Sequence, residues 1–355
     1  MDPNPSTSQA QHTTAPTPEV PDDLEANPLN GRSTPITSAP RPSLYQLFRT
    51  SLSHSLSGWF CPAYLVDWAV VLAAIVLEKI YLTPLKPFQR DLSIYFPSPE
   101  YHGILKPEHI SEEWLHHFSV TLPFLVLIIL TLLSYPTGGV HLLPTLHLSL
   151  LGLLASHVIA RYPTDLLKVW VGRLRPDFFS RCSYSVTTNT CIAHHSNFKL
   201  IEKGMKSFPS GHSAEAFSGL GFLALWIAGR NGAFAFGGDR LRGSGPLESR
   251  LLKGLVAVVW LVLATWIAVT RLQDNLHHST DVLAGGFIGI SSALIAYLLY
   301  FPSPFDGNTL GTTMGKPRQV YFSTPHLRDD YPTTREGAIA LPGPEQSIRV
   351  HSGSP

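Results

Sequence analysis

Two stretches without a single Asp, Glu, Lys or Arg constrain this chain more than anything else in it: residues 118–160 and 282–305. An apolar run of about 18 residues or more is long enough for a membrane-spanning helix, and the first stretch has room for two. In lipid, only helices and closed barrels satisfy every backbone N–H and C=O. A buried core helix is the plainer reading of one such run, but a soluble domain rarely needs two of that length back to back. Charged residues make up only 14% of the chain and the mean hydropathy is positive, in keeping with lipid as the solvent.

Six spans are expected. The first covers 62–82 and is weakened by Asp67. The second and third lie within 118–160, parted by the turn signal Tyr135-Pro136-Thr137-Gly138-Gly139. The others cover 212–229, 251–270 and 282–301. In the last, Gly285 and Gly289 give the small-xxx-small spacing that lets helices approach closely. The expected fold is therefore all-α: a polytopic six-helix bundle over 60–301, between tails at 1–45 and 302–355. Those tails are poor in large apolar groups and are expected to be disordered. The first apolar stretch comes too late for a cleaved leader, and none is expected. A net charge of +1 gives no support for nucleic-acid binding, and Cys61, Cys182 and Cys191 match no metal-ligand spacing.

Three short segments beside these runs carry the chemistry. Lys168 and Arg175 are seven residues apart, two helical turns, with Pro176 expected to stop the helix. An arginine fork and a mobile ammonium suit phosphate oxygens, although a juxtamembrane basic cluster also anchors to headgroups. In Pro209-Ser210-Gly211-His212 the chain enters the fourth span. A helix N-terminus is an anion cradle; Gly211 allows close approach, Ser210 adds a hydroxyl, and His212 is a candidate general acid. A simple capping turn with a solvated histidine is the plainer alternative. The third segment holds Arg271, His277 and Asp281. On a helix, the carboxylate at i+4 can bond one imidazole nitrogen and leave the other as nucleophile. His278, at i−3 from Asp281, is not dismissed by geometry, and a His/Asp pair also serves as a cap.

With six spans, the connection holding the first two segments and the one holding the third emerge on the same membrane face. In this order and spacing the residues resemble the type-2 phosphatidic acid phosphatase superfamily, whose pattern is K-x6-RP, PSGH and SR-x5-H-x3-D. Thr270 stands where that pattern has Ser. The segments Pro87-Phe88-Gln89-Arg90-Asp91 and Gly172-Arg173-Leu174-Arg175-Pro176-Asp177-Phe178-Phe179 look like the eukaryotic lipid phosphate phosphatases, and most like the fungal diacylglycerol pyrophosphate phosphatases.

The resemblance implies hydrolysis of phosphatidate, lysophosphatidate or diacylglycerol pyrophosphate through a phosphohistidine, with no metal or other cofactor. His277 would attack, oriented by Asp281, and His212 would protonate the leaving oxygen. Lys168, Arg175, Arg271, Ser210 and the Gly211 amide would hold the phosphoryl group. The family spacing selects His277 over His278. The expected partners are a membrane phospholipid substrate and the bilayer. Rival readings are a lipid phosphotransferase, whose relatives generally lack the K-x6-RP segment, and a non-catalytic transporter or binding protein.

For orientation, the connection 230–253 carries five Lys or Arg, which favours the cytoplasm. The connection 168–212 carries seven, but at least two of these serve phosphate. The active site is therefore expected on the lumenal or external side of an endomembrane or the plasma membrane. There Cys182 and Cys191 occupy an oxidising compartment and are expected to form a disulfide.

Overall fold

The computed structural model describes residues 62–135, 142–192, 198–235 and 249–305. Residues 1–45, nearly all of the C-terminal tail, Cys61, most of the expected turn after Tyr135 and the middle of the 230–253 connection lie outside them.

Among the described residues six long helices build the bundle. α1 covers Ala63–Leu77 and continues with wider i→i+5 turns over Glu78–Leu82. α2 is Glu112–Ser134, α3 Leu142–Val171, α5 Arg250–Gln273 and α6 Ser279–Tyr300, and these four are long and apolar enough to cross a membrane. α4, Gly211–Asn231, is as long but is enclosed by the others, and Gly, Ala and Ser make up much of its buried surface. Serine starts three of them by accepting a main-chain N–H: Ser111 before α2, Ser210 before α4 and Ser249 before α5. The fold is not purely helical: β1, Ser183–Ser185, pairs antiparallel with β2, Thr190–Ile192. Cys182 and Cys191 are bonded to each other beside this hairpin, with Cα atoms 5.3 Å apart.

The small-residue spacing in α6 has a direct consequence. A Cβ at Gly285 would lie 2.3 Å from the Ser210 carbonyl oxygen, and one at Gly289 would lie 2.4 Å from that of Ala214. These contacts bring the start of α6 against the start of α4. The core below is built from Leu148, Leu151, Phe222, Trp226, Tyr297 and their neighbours. His157 bonds the Ser119 carbonyl and the Ser218 hydroxyl, so it ties α2, α3 and α4 together as a buried core histidine.

Pro176 does not stop α3. The helix ends at Val171, where Gly172 takes φ +53°, a left-handed conformation that favours glycine. A side chain there would also collide with the Phe88 carbonyl. The exposed carbonyls of this helix end are met by the segment 87–91. The Phe88 amide donates to Val169 O at 2.8 Å, and the Arg90 guanidinium donates to Val171 O and Gly172 O at 2.7–3.1 Å. Arg90 is a C-cap for the helix that carries Lys168.

Candidate active site

Helix ends converge on one end of the bundle: the C-termini of α1, α3 and α5 and the N-termini of α2, α4 and α6. A cavity of about 820 Å³ lies there, and Lys168, Arg175, Gly211, His212 and His277 line it. Arg271, Ser210 and Asp281 are fully buried and do not line it.

Because α3 ends early, Lys168 stands on the helix and Arg175 on the extended segment after it. Their shared face is thus made by tertiary contacts rather than by two turns of one helix. The Arg175 amide donates to Gly204 O at 2.8 Å. Burial, with help from the Arg181 and Arg271 charges, lowers the Arg175 guanidinium to about 10, still protonated at neutral pH. Its Nε is buried without a hydrogen-bond partner among the described residues, a donor aimed at something acceptor-rich. Lys168 Nζ is held 3.1 Å from Asp165 Oδ1. A Cβ at residue 211 would come within 2.7 Å of that Nζ, so glycine there leaves the ammonium its place.

His277 and Asp281 depart from the expected helical pair. His277 precedes α6, whose cap is His278. Asp281 Oδ2 lies 3.8 Å from His277 Nδ1, beyond hydrogen-bond distance. Instead His277 Nδ1 donates to the Ser207 carbonyl at 2.7 Å. A carbonyl only accepts, so Nδ1 carries the proton and Nε2 keeps its lone pair. Asp281 acts one step back: it accepts from Ser207 Oγ at 2.6 Å and from Arg173 Nη1 at 2.7 Å. It also accepts from the His278 amide and Nδ1, at 3.0 and 3.2 Å. Burial, reinforced by the Arg175 and Lys168 charges, outweighs the Asp281 carboxylate and lowers His277 to about 4. It is a neutral imidazole at physiological pH.

His278 is turned elsewhere: its Nδ1 meets Asp281 and its Nε2 lies 3.1 Å from Glu100 Oε1. His212 lines the cavity with Nε2 3.2 Å from Ile110 O. Ser210 spends its hydroxyl on the Ser213 amide and hydroxyl as the α4 cap, and its own amide donates to Asp281 O at 2.9 Å.

Arg271 is clamped from three sides. Thr270 Oγ1 accepts from its Nε and Nη2 at 3.1 and 3.0 Å, which gives the hydroxyl at that position a task. Asp274 Oδ2 is 3.1 Å from Nη2, and Glu108 Oε2 is 3.5 Å from Nη1. Among the described residues Nη1 has this long contact to Glu108 and no closer hydrogen bond. The segment before α2 runs across the site and is pinned to it. The Gly103 amide bonds Pro176 O, Lys106 bonds Gln273 O, and His109 bonds the Asp274 carboxylate through amide and ring. Ser207, Arg173, Asp165, Asp274 and Glu108 thus complete the site. Asp165 and Asp274 sit one turn from Lys168 and Arg271, a spacing visible in the sequence; the others are placed by the fold. Asp177, by contrast, is committed to Arg181. Among the described residues no three His, Cys, Asp or Glu side chains are grouped to hold a metal ion.

The profile of the PAP2 superfamily matches residues 148–304. Lipid phosphate phosphatase 2 of Arabidopsis thaliana is 32% identical over 256 residues, covering 69% of this chain and 80% of that protein. Diacylglycerol pyrophosphate phosphatase 1 of Saccharomyces cerevisiae is 32% identical, covering 62% and 74%. A probable diacylglycerol pyrophosphate phosphatase 1 of Schizosaccharomyces pombe is 33% identical, covering 68% and 82%. No solved structure matches.

Proposed function

The chain belongs to the PAP2 superfamily, and on that premise we propose that it is an integral-membrane lipid phosphatase acting through a phosphohistidine. Its substrates are phosphatidate, lysophosphatidate and/or diacylglycerol pyrophosphate, and it needs no metal. The observation that carries this reading is the bond from His277 Nδ1 to the Ser207 carbonyl. It leaves Nε2 with a lone pair in a cavity that Lys168 and Arg175 also line.

Nε2 attacks phosphorus, the bond to the lipid or pyrophosphate oxygen breaks, and that oxygen takes a proton from His212. Water then attacks the phosphohistidine, His212 receives its proton, and phosphate leaves. Lys168, Arg175 and the Gly211 amide offset charge on the phosphoryl oxygens. The buried Arg271, paired with Asp274 and Glu108, adds its field from behind them. Preorganised donors of this kind commonly supply the largest contribution to lowering such a barrier.

All six helices are read as spans, with α1 and α4 joining the four apolar ones. The disulfide in the α3–α4 connection supports a non-cytoplasmic active site, because such bonds persist in oxidising compartments.

The test is trapping of labelled phosphate from substrate in EDTA. Wild type and His278→Ala should yield an acid-labile, base-stable adduct, and His277→Ala none. Label surviving in His277→Ala, or activity that returns from EDTA only with magnesium, overturns the mechanism.

A further inference from the structure

The cavity extends beyond the phosphate-binding residues. Following α3 inward from Lys168, Asp165 and Arg161 also line it. At 1.5 Å per residue, Arg161 lies about 10 Å deeper than Lys168. It is the first charge after the long uncharged stretch, and a charge so placed within a span is costly unless it has a task. Its partners hold it loosely: Nη2 is 3.5 Å from Glu78 Oε1 and Nε is 4.0 Å from Glu215 Oε1. The wide turns of α1 begin at Glu78, which is buried and bonded by Thr83. Even so, 42% of the Arg161 side chain is exposed, it is among the residues that line the cavity, and a guanidinium has five N–H donors to spend.

A substrate with phosphorus among Lys168, Arg175 and His277 lays the rest of itself along this wall. In an acylglycerol phosphate the first ester carbonyl oxygen follows phosphorus by six bonds, the reach of two extended residues, about 7 Å. A hydrogen bond adds about 3 Å, which together match the depth of Arg161. Ester carbonyls are acceptors only, and the arginine is donor only. In an isoprenoid phosphate the same stretch is hydrocarbon, which would desolvate the guanidinium and give nothing in return.

We propose that Arg161 reads the ester carbonyls of a glycerolipid, making the deep end of the cavity a specificity site for acylglycerol over isoprenoid phosphates. The proposal rests on the phosphatase reading above. The experiment uses the purified full chain in mixed micelles, with dioleoyl phosphatidate, its di-O-alkyl ether analogue, farnesyl phosphate and p-nitrophenyl phosphate. Wild type should show a KM about tenfold lower for the ester than for the ether, a factor typical of one hydrogen bond to a charged group, with similar kcat. Arg161→Gln should raise KM for the ester toward the ether value and should not raise it for the ether or farnesyl substrates, which no longer desolvate a charge there. Equal KM for ester and ether in wild type, or an equal loss on every substrate in Arg161→Gln, overturns the proposal. Should Arg161→Gln fail to fold, the ester and ether comparison in wild type decides alone. Hydrolysis of p-nitrophenyl phosphate without ester preference defeats only this inference, whereas no phosphate release from any substrate defeats the phosphatase reading with it.

Discussion

His277 and His278 are neighbours in the chain, yet the fold gives them opposite surroundings. One is buried against a carbonyl and faces the cavity; the other caps α6 between two carboxylates. This difference has a pH signature. An unfolded histidine takes a proton near 6.5, whereas folded His277 resists until about 4. Between those values the unfolded state binds the extra proton, so stability is complete above about 6.5, falls as pH drops through the window and levels off below it. The loss is on the order of 3 kcal/mol. His277→Gln removes it, so the drop in Tm between pH 7 and 4.5 should be smaller in the variant than in wild type; an equal or larger drop contradicts the buried neutral ring. The sequence shows which residue types meet here but not who bonds whom. The i,i+4 spacing of His277 and Asp281 is legible, but whether a helix begins before or after His277 is a matter of two residues. The carbonyl that orients the ring belongs to Ser207, 70 positions away.

At the scale of elements, the long helices are legible because lipid demands long apolar runs, and the α6 glycines announce a close neighbour. The end of α3 is less so. Pro176 is the louder signal, but Gly172 with the Arg90 cap decides it, because that cap comes from a distant segment. Gly211 at the α4 start and Gly285 in α6, packed against that start, make a contrasting pair. In Gly211→Ala the new methyl meets the tip of a flexible lysine, so the fold should survive with Tm within a few degrees. Displacing Lys168 should cost kcat/KM on the order of 100-fold, the scale of one lost transition-state donor. In Gly285→Ala the methyl meets backbone at Ser210, the helices must separate, and stability should fall by about 1–3 kcal/mol. Thermal melts and kinetics of both variants check this; a Gly211→Ala enzyme of full activity would remove Lys168 from the site.

For the whole molecule, the question is which side of the membrane the site faces. Val186, at the exposed tip of the hairpin, is a position for Val186→Cys. An impermeant maleimide should reach it only from the non-cytoplasmic side of sealed vesicles, and labelling from the cytoplasmic side would invert the topology. In the same material, Cys182 and Cys191 should resist alkylation until reduced. α3 and α5 end on the side where α4 and α6 begin, and the four most apolar helices are legible from hydropathy. The hairpin is not, because strands of three residues leave little periodicity to read.

The pinned segment over the site has one more consequence. Gly103, Lys106 and His109 are all tied down and Ile110 lies against His212, so this segment stays in place across the site. The cavity wall formed by Glu78, Lys79 and Leu82 of α1 and by Leu115 and His116 of α2 includes one of the four helices long and apolar enough to cross a membrane, α2. On the lipid-phosphatase reading proposed above, substrate enters past this wall, from a two-dimensional film rather than from solution. Turnover then follows the mole fraction of substrate in the surface, and inert detergent slows the reaction even when the bulk lipid concentration is held constant.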